Sequence, residues 1–113
     1  MPETTKSPAG AHPATAKAQR FDLAGAADRL AARLPGNARQ SETIARESGV
    51  SVVMMAMEAG DALKEHSAPG VVIVQLLRGH VLLTAAGEAF ELRPGEVVMM
   101  QPGVRHDVRA EEQ

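Results

Sequence analysis

Short runs of apolar or alternating residues occupy the chain from residue 41 onward, and every segment between two runs contains glycine. Glycine supplies the positive φ angles that tight turns need, and the Pro-Gly pairs add a fixed φ beside it. Short strands with turns at near-regular spacing are typical of an all-β sandwich or barrel. We therefore predict strands at residues 42–46, 50–57, 71–77, 81–84, 88–92, 96–100 and 104–109.

The run at 71–77 differs from the others because both of its faces are apolar, with Gln75 as its only polar member. A strand with one face toward water would alternate apolar and polar residues. The outer face of Val71, Ile73 and Leu77 is therefore predicted to be covered. Another sheet, the helix at residues 21–36 or a second subunit could provide that cover.

An amphipathic helix is predicted at residues 21–36. Asp22 can cap its first turn with Phe21 as the hydrophobic staple, and the Pro-Gly pair at 35–36 stops it. A helix packed against its own barrel is the preferred interpretation, and a partner-binding helix is the alternative. The apolar stripe recurs at three- and four-residue spacing, at Leu23, Ala27, Leu30 and Leu34.

The first 20 residues have a different composition, rich in Ala, Pro, Thr, Ser and Lys with no large apolar residue after Met1. Such a segment cannot bury enough surface to offset the entropy of ordering, so we predict a disordered tail at 1–20. The chain then divides into this tail, the helix at 21–36 and a single barrel at 41–113.

Composition excludes several classes of function. Two aromatic residues and a net charge of −2 offer neither stacking platforms nor a basic surface, so no nucleic-acid partner is expected. No apolar run is long enough for a membrane span or a secretory signal, which leaves the cytoplasm as the default location. With no cysteine, disulfides and thiolate ligands are absent.

Two histidine segments carry the candidate chemistry. The first runs from Gly60 to His66, with Gly79 further on, and the second from Gly95 through Pro102-Gly103 to His106. These residues resemble the two motifs of the cupin family over about residues 41–110. That resemblance implies a double-stranded β-helix, or jelly roll, whose motif histidines point into one interior pocket. Stand-alone barrels of this kind also resemble the ligand-sensing domains of some bacterial regulators.

The motifs are incomplete. Where the family carries a second histidine and a glutamate, this chain has Ala68 and Val72, and Ala110 replaces the asparagine of the second motif. The metal quartet implied by the resemblance therefore becomes His66, Ala68, Val72 and His106, in which only the imidazoles donate electron pairs. Two protein ligands hold a metal weakly unless water, substrate or another side chain completes the shell.

The neighbouring side chains do not repair this site. Glu65 and Asp107 each adjoin a histidine and should face away from it by strand alternation. His80 is expected in an exposed hairpin turn. Mn, Fe, Ni, Zn and Cu all stay open as cofactors, as does the absence of any metal. The methionines favour gap filling over copper binding.

One end of the barrel departs from the family. Relatives carry a further apolar strand after the second histidine strand, whereas this chain continues with Glu111, Glu112 and Gln113. We expect an open edge there, which the strand at 42–46 covers, within one chain or in a dimer, unless the barrel is shortened. The resemblance also favours a homodimer.

These observations support one leading hypothesis and two alternatives. The leading hypothesis is a small cupin-like barrel that binds a small molecule at His66 and His106, in a pocket lined by Ala68 and Val72. There a neutral imidazole pair could bind an anion or enolisable carbonyl, or act as general base. The alternatives are a metal-dependent enzyme of dioxygenase or isomerase type using both histidines, and a purely structural module with a filled interior.

Overall fold

The computed structural model describes residues 17–112 and divides them into two compact units, the first ending at Ala56 and the second beginning at Met57. The disorder predicted for 1–20 therefore falls largely outside the described residues. The elements are one helix and eight strands: α1 (Leu23–Arg33), β1 (Arg39–Glu47), β2 (Val50–Met57), β3 (Ala62–His66), β4 (Val72–Gln75), β5 (His80–Ala85), β6 (Glu88–Leu92), β7 (Val97–Met100) and β8 (His106–Glu112).

In the first unit, α1 begins where the sequence predicts its cap. The Asp22 backbone is extended, and its Oδ1 accepts a hydrogen bond from the Gly25 N–H at 3.0 Å, which satisfies one of the donors left free at a helix start. The cap prediction is confirmed. Helical structure ends at Arg33, whose carbonyl accepts from the Asn37 side chain at 2.9 Å, so the helix is shorter than 21–36.

The predicted stripe of α1 is buried at Leu30 and Leu34 and exposed at Leu23. Ala26, Leu30 and Leu34 are buried, while Leu23 is 40% exposed. Leu23, seven residues before Leu30, points to the same side of the helix, so its exposure follows from its position as the first residue of α1. This face lies against β1, where Ile44 is also buried. A salt bridge of 2.9 Å from Arg29 Nη2 to Glu42 Oε2 joins the same two elements.

Strands β1 and β2 form a two-stranded sheet in the first unit. The link between them is two residues long, Ser48 and Gly49, because Glu47 belongs to β1 instead of the turn. Gly49 has a φ of +91°, a conformation that residues with a Cβ rarely adopt. The glycine signal therefore located the turn correctly, and the predicted three-residue link is one residue too long.

The second unit is a β-sandwich of two antiparallel sheets. A four-stranded sheet has the order β3-β8-β5-β6, and a two-stranded sheet pairs β4 with β7. Their inner faces share one core, in which Leu83, Ala85, Leu92 and Met100 are buried. Val72, Val74 and Leu76 pack against that core, as the alternation of the run at 71–77 predicts. The predicted all-β jelly-roll class is confirmed.

Strand β8 corrects the prediction of an open edge. It extends to Glu112 and lies between β3 and β5, so Arg109 pairs with Ala62 on one side and with Leu82 on the other. The four-stranded sheet instead has β3 and β6 as its edges. The polar residues at 111–113 suggested that no strand continues there. Strand β8 nevertheless has a buried inner face that includes Ala110, and alternation over so few residues does not reveal it.

Two further expectations are wrong. Strands β4 and β5 belong to different sheets, so Arg78-Gly79 is a crossover and not a hairpin turn. His80 is the first residue of β5, with a side chain only 24% exposed and its Nε2 3.8 Å from Glu91 Oε1. Local turn signals mark where the chain bends, but the pairing of strands that follows depends on residues far along the chain.

Candidate functional site

His66 and His106 meet where β3 ends and β8 begins. The two residues are register partners in the antiparallel ladder, and their ring centroids are 4.2 Å apart with the planes tilted by 59°. His106 is 4% exposed, whereas His66 is exposed to solvent. The structure therefore brings together the two histidines that the motifs single out, one buried and one open to an approaching molecule.

Both rings are oriented by the backbone in the same way. His66 Nδ1 lies 2.9 Å from the carbonyl oxygen of Lys64, and His106 Nδ1 lies 3.1 Å from that of Val104. A carbonyl oxygen only accepts, so each Nδ1 carries the hydrogen and donates it. In the neutral ring this leaves the lone pair on Nε2. The pair thus holds two imidazole acceptors in the same tautomer.

The histidines stand at one end of a row on the inner face of the four-stranded sheet. His106 pairs with His66 on one side and with Ala85 on the other. The next row along the strands is apolar and consists of Leu63, Val108 and Leu83. Within the sheet, the imidazoles therefore stand beside a methyl side chain and next to an aliphatic row.

A register shift in β3 aligns the two histidines. Leu63 pairs with Val108 and His66 with His106, so two residues of β3, Lys64 and Glu65, oppose one residue of β8. This is a β-bulge. Strict alternation from the inward Leu63 would place Glu65, not His66, opposite His106. The bulge gives His66 the inner position and leaves Glu65 on the outer face, as expected for Glu65.

Glu65 forms an ion pair that the sequence analysis missed. Its Oε1 lies 3.2 Å from Arg105 Nε, and both side chains are more than half exposed. Glu65 and Arg105 each directly precede one of the two histidines, so opposite charges flank the pair. The sequence does show an acidic residue before one histidine and a basic residue before the other. These positions predict an ion pair only once His66 and His106 are known to be partners.

Ala68 and Val72, the predicted pocket lining, occupy two different settings. Ala68 follows the end of β3, so it does not share a strand face with His66, and its carbonyl accepts from the Gly103 N–H at 2.8 Å. Val72 begins β4, pairs with Met100 and packs against the core. One residue thus anchors the turn before β8, and the other fills the sandwich.

Two potential metal donors, the imidazoles of His66 and His106, meet at this place in the described part of the chain. Within residues 17–112, no group of three or more His, Cys, Asp or Glu side chains is arranged to hold a metal ion. Protein sites for first-row metals without thiolates generally use three protein ligands. The Nδ1–carbonyl bonds resemble those that orient metal-ligating histidines, but the side chains present do not complete such a site.

Comparison with known proteins adds two findings. Residues 48–113 match a family described as the AraC-like ligand binding domain. No curated protein matches the chain. In addition, the part of the chain that the structure describes contains no helix long and apolar enough to span a membrane.

Solved structures resemble the fold. A conserved protein of unknown function from Streptococcus pyogenes is 24% identical over 66% of this chain, with a TM-score of 0.62, and the chain spans 65% of that protein, just under two thirds. KdgF from a Halomonas species is 20% identical over 66% of this chain and 69% of its own, with a TM-score of 0.64. A cupin superfamily protein from Desulfitobacterium hafniense is 19% identical over 66% of this chain and 68% of its own, with a TM-score of 0.63. At these identities the likeness concerns the fold.

Proposed function

Because this chain belongs to the family of AraC-like ligand binding domains, we propose that it binds a small molecule and that the His66–His106 pair holds it. The single observation that supports this proposal is the pair itself, with ring centroids 4.2 Å apart and both Nδ1 atoms occupied by backbone carbonyls. A ligand with hydroxyl or N–H donors can bond to two Nε2 acceptors at once.

The surroundings narrow the ligand chemistry. The row next to the histidines is aliphatic, and Ala85 is the neighbour of His106 within its own row. A fitting ligand therefore has an apolar edge that lies on the aliphatic row and hydrogen-bond donors that reach the imidazoles. Such a division, with few polar groups fixing orientation on an apolar wall, is typical of small-molecule sites. The exposed His66 is the side from which the ligand enters.

The test is thermal stabilisation by a panel of small polyols, sugars and hydroxy acids. At least one compound should raise the melting temperature of the wild-type protein, and His66→Ala and His106→Ala should abolish the increase. His80→Ala is the matched control, because His80 lies at the other end of β5 and outside the pair. Equal stabilisation of wild type and both pair variants would show that the ligand binds elsewhere.

A weakly held transition metal is the second candidate, supported by the hydrogen bonds that hold both rings at Nδ1. The two side chains do not suffice for a tight site, so no catalytic step is assigned to a metal here. Metal content after loading with Mn, Fe, Ni, Cu and Zn separates the candidates. About one equivalent retained through dialysis, and lost in His106→Ala, would favour the metal and revive the enzyme alternative.

A homodimer is the second part of the proposal. The outer face of the β4–β7 sheet, here called the β4–β7 face, leaves Ile73 64% and Met99 62% exposed. Together with exposed Val71, Leu77 and Val97 it presents several hundred Å² of apolar surface, a patch of the size that often marks an interaction site. Since a standard interface takes about 800 Å² from each partner, this face alone supplies about half of one.

A second copy of the chain is the occupant that fits the β4–β7 face. None of its outward residues is charged, with Gln75 its polar member, so two copies can meet without opposing like charges. Residues 2–20 include no large apolar side chain that could cover it instead. The contact proposed here is therefore two-fold, and both protomers use the same face.

Light scattering after size exclusion tests the contact. Wild type should elute with twice the mass of one chain, and Ile73→Lys or Met99→Lys should give monomers. Val53→Lys is the matched control, because Val53 is a comparably exposed apolar residue on β2. Dissociation by Val53→Lys with an intact Ile73→Lys dimer would place the interface on β2 and refute this part of the proposal.

A further inference from the structure

The β-bulge in β3 and the ring orientation of His66 occur at the same place. Lys64 and Glu65 are the two residues that oppose Asp107, and the Lys64 carbonyl is the acceptor for His66 Nδ1 at 2.9 Å. In a regular strand a side chain stands perpendicular to the sheet, while the carbonyl two residues earlier lies in the sheet plane. A residue in a regular strand therefore does not bond to that carbonyl with its own ring.

His106 shows the same arrangement by a different route. Its Nδ1 also lies near a carbonyl two residues earlier, that of Val104 at 3.1 Å. Val104 precedes β8 and lies outside the regular ladder, so its carbonyl is free to turn toward the ring. Lys64 lies inside β3, where a regular strand would keep its carbonyl in the sheet plane, so the carbonyl reaches the His66 ring only where that geometry is disrupted. The bulge is that disruption.

From these observations we infer that the bulge at Lys64–Glu65 is a positioning device for the site: it fixes the Nδ1–H tautomer of His66, so that His66 and His106 present matching Nε2 acceptors to one ligand. The Lys64 carbonyl is the positioning group, and the Glu65–Arg105 ion pair supports the bulge from the outer face. This role rests on the proposed binding function of the pair. It adds Lys64 to the site as a residue that acts on His66 through its backbone carbonyl.

Deletion of Lys64 isolates the bulge. Removing one residue restores a regular ladder between Leu63 and His66, and the histidine still stands opposite His106. Both imidazoles and their register are kept, while the bulged carbonyl geometry is lost. Lys64→Ala is the matched control, since it removes the side chain and keeps the backbone. Deletion of Glu65 is the second variant, with the same expected register if the first fails to fold.

Two measurements decide the outcome. Long-range nitrogen–proton NMR spectra of the unliganded protein should show His66 as the Nδ1–H tautomer in wild type and Lys64→Ala, and as a mixture or the Nε2–H tautomer in the deletion. The Ni²⁺ ion serves as a probe of the lone pairs. Its affinity should fall about tenfold in the deletion, the lower end of the loss when a group orienting a metal-bound histidine is removed.

An Nε2–H tautomer at His66 in the wild-type protein would overturn the inference, and so would a deletion that keeps both the tautomer and the Ni²⁺ affinity. These results are distinct from a failure of the proposed function. If no compound and no Ni²⁺ binds the wild-type protein, the binding proposal fails, while the unliganded NMR spectra still show whether the bulge sets the tautomer.

Discussion

The two sheets of the sandwich share one core but present different chemistry. The four-stranded sheet ends in a row that contains both histidines, and its β3–β8 ladder is interrupted by a bulge at that row. The β4–β7 ladder pairs Val72 with Met100 through Gln75 with Val97 without any shift in register. Its inner residues pack in the core and its outer residues are exposed hydrophobics.

This difference suits the two sheets to the two proposed roles, ligand binding and association of two copies. A regular, apolar ladder offers a flat surface suited to a second copy, whereas a ladder that carries polar groups inward needs local irregularity to orient them. The inward position of His106 is supported by hydrogen bonding to Val104, because a buried polar group without a partner would be costly.

The largest expected effect is in the core common to both sheets. Leu83 is completely buried between them, so Leu83→Ala should lower the free energy of unfolding by about 3 kcal/mol through lost transfer energy and a cavity. Urea titrations followed by far-UV circular dichroism suit a chain without Trp or Tyr. Leu82→Ala, next in β5 and only partly buried, should cost less than half as much. Equal costs would mean that the core lies elsewhere.

Neighbouring residues of β4 sharpen the contrast between inner and outer faces. Val74→Ser removes an aliphatic group packed on the core and should cost about 2 kcal/mol. Ile73→Ser, on the β4–β7 face, should change monomer stability by less than about 0.5 kcal/mol while weakening the dimer. The comparison should be made at protein concentrations low enough to populate monomers. If Ile73→Ser lowers the stability of the monomer by more than this, the β4–β7 face is covered by another part of the same chain.

The histidines should also differ from each other. His106→Ala removes a buried ring and leaves the Val104 carbonyl without its donor, at an expected cost of about 1–2 kcal/mol. His66→Ala removes an exposed ring and should cost less than about 0.5 kcal/mol. Both substitutions are nevertheless expected to abolish ligand binding. Similar unfolding curves for the two variants would contradict the burial difference between the rings.

The smallest expected effect concerns the ion pair on the outer face. Glu65→Gln should lower the free energy of unfolding by only about 0.2–1 kcal/mol, because exposed ion pairs are screened by water and salt. Exchanging the charges, with Glu65→Arg and Arg105→Glu together, should restore most of the loss. The restoration should weaken at high ionic strength. A double variant less stable than either single variant would show that the charges do not act as a pair.

Sequence reasoning was most reliable where the signal is local. The Asp22 cap depends on residues three positions apart, and the strand at 88–92 depends on alternation bounded by glycine turns, and both match the structure. The sequence predicted wrongly that β8 leaves an open edge and that His80 lies in an exposed hairpin turn. There, the outcome depends on which distant strand provides the partner, and no local pattern encodes it.

By itself, the sequence determined the all-β class and the inner face of 71–77, because spacing and turn chemistry act within a few residues. The two histidines were identified by their resemblance to the cupin motifs. Tertiary structure decided that His66, and not Glu65, stands opposite His106, and that both rings donate from Nδ1. The physical reason is that register is set by a whole ladder at once. One extra residue in β3 changes every face that follows, and the strand sequence does not reveal that residue until its partner is known.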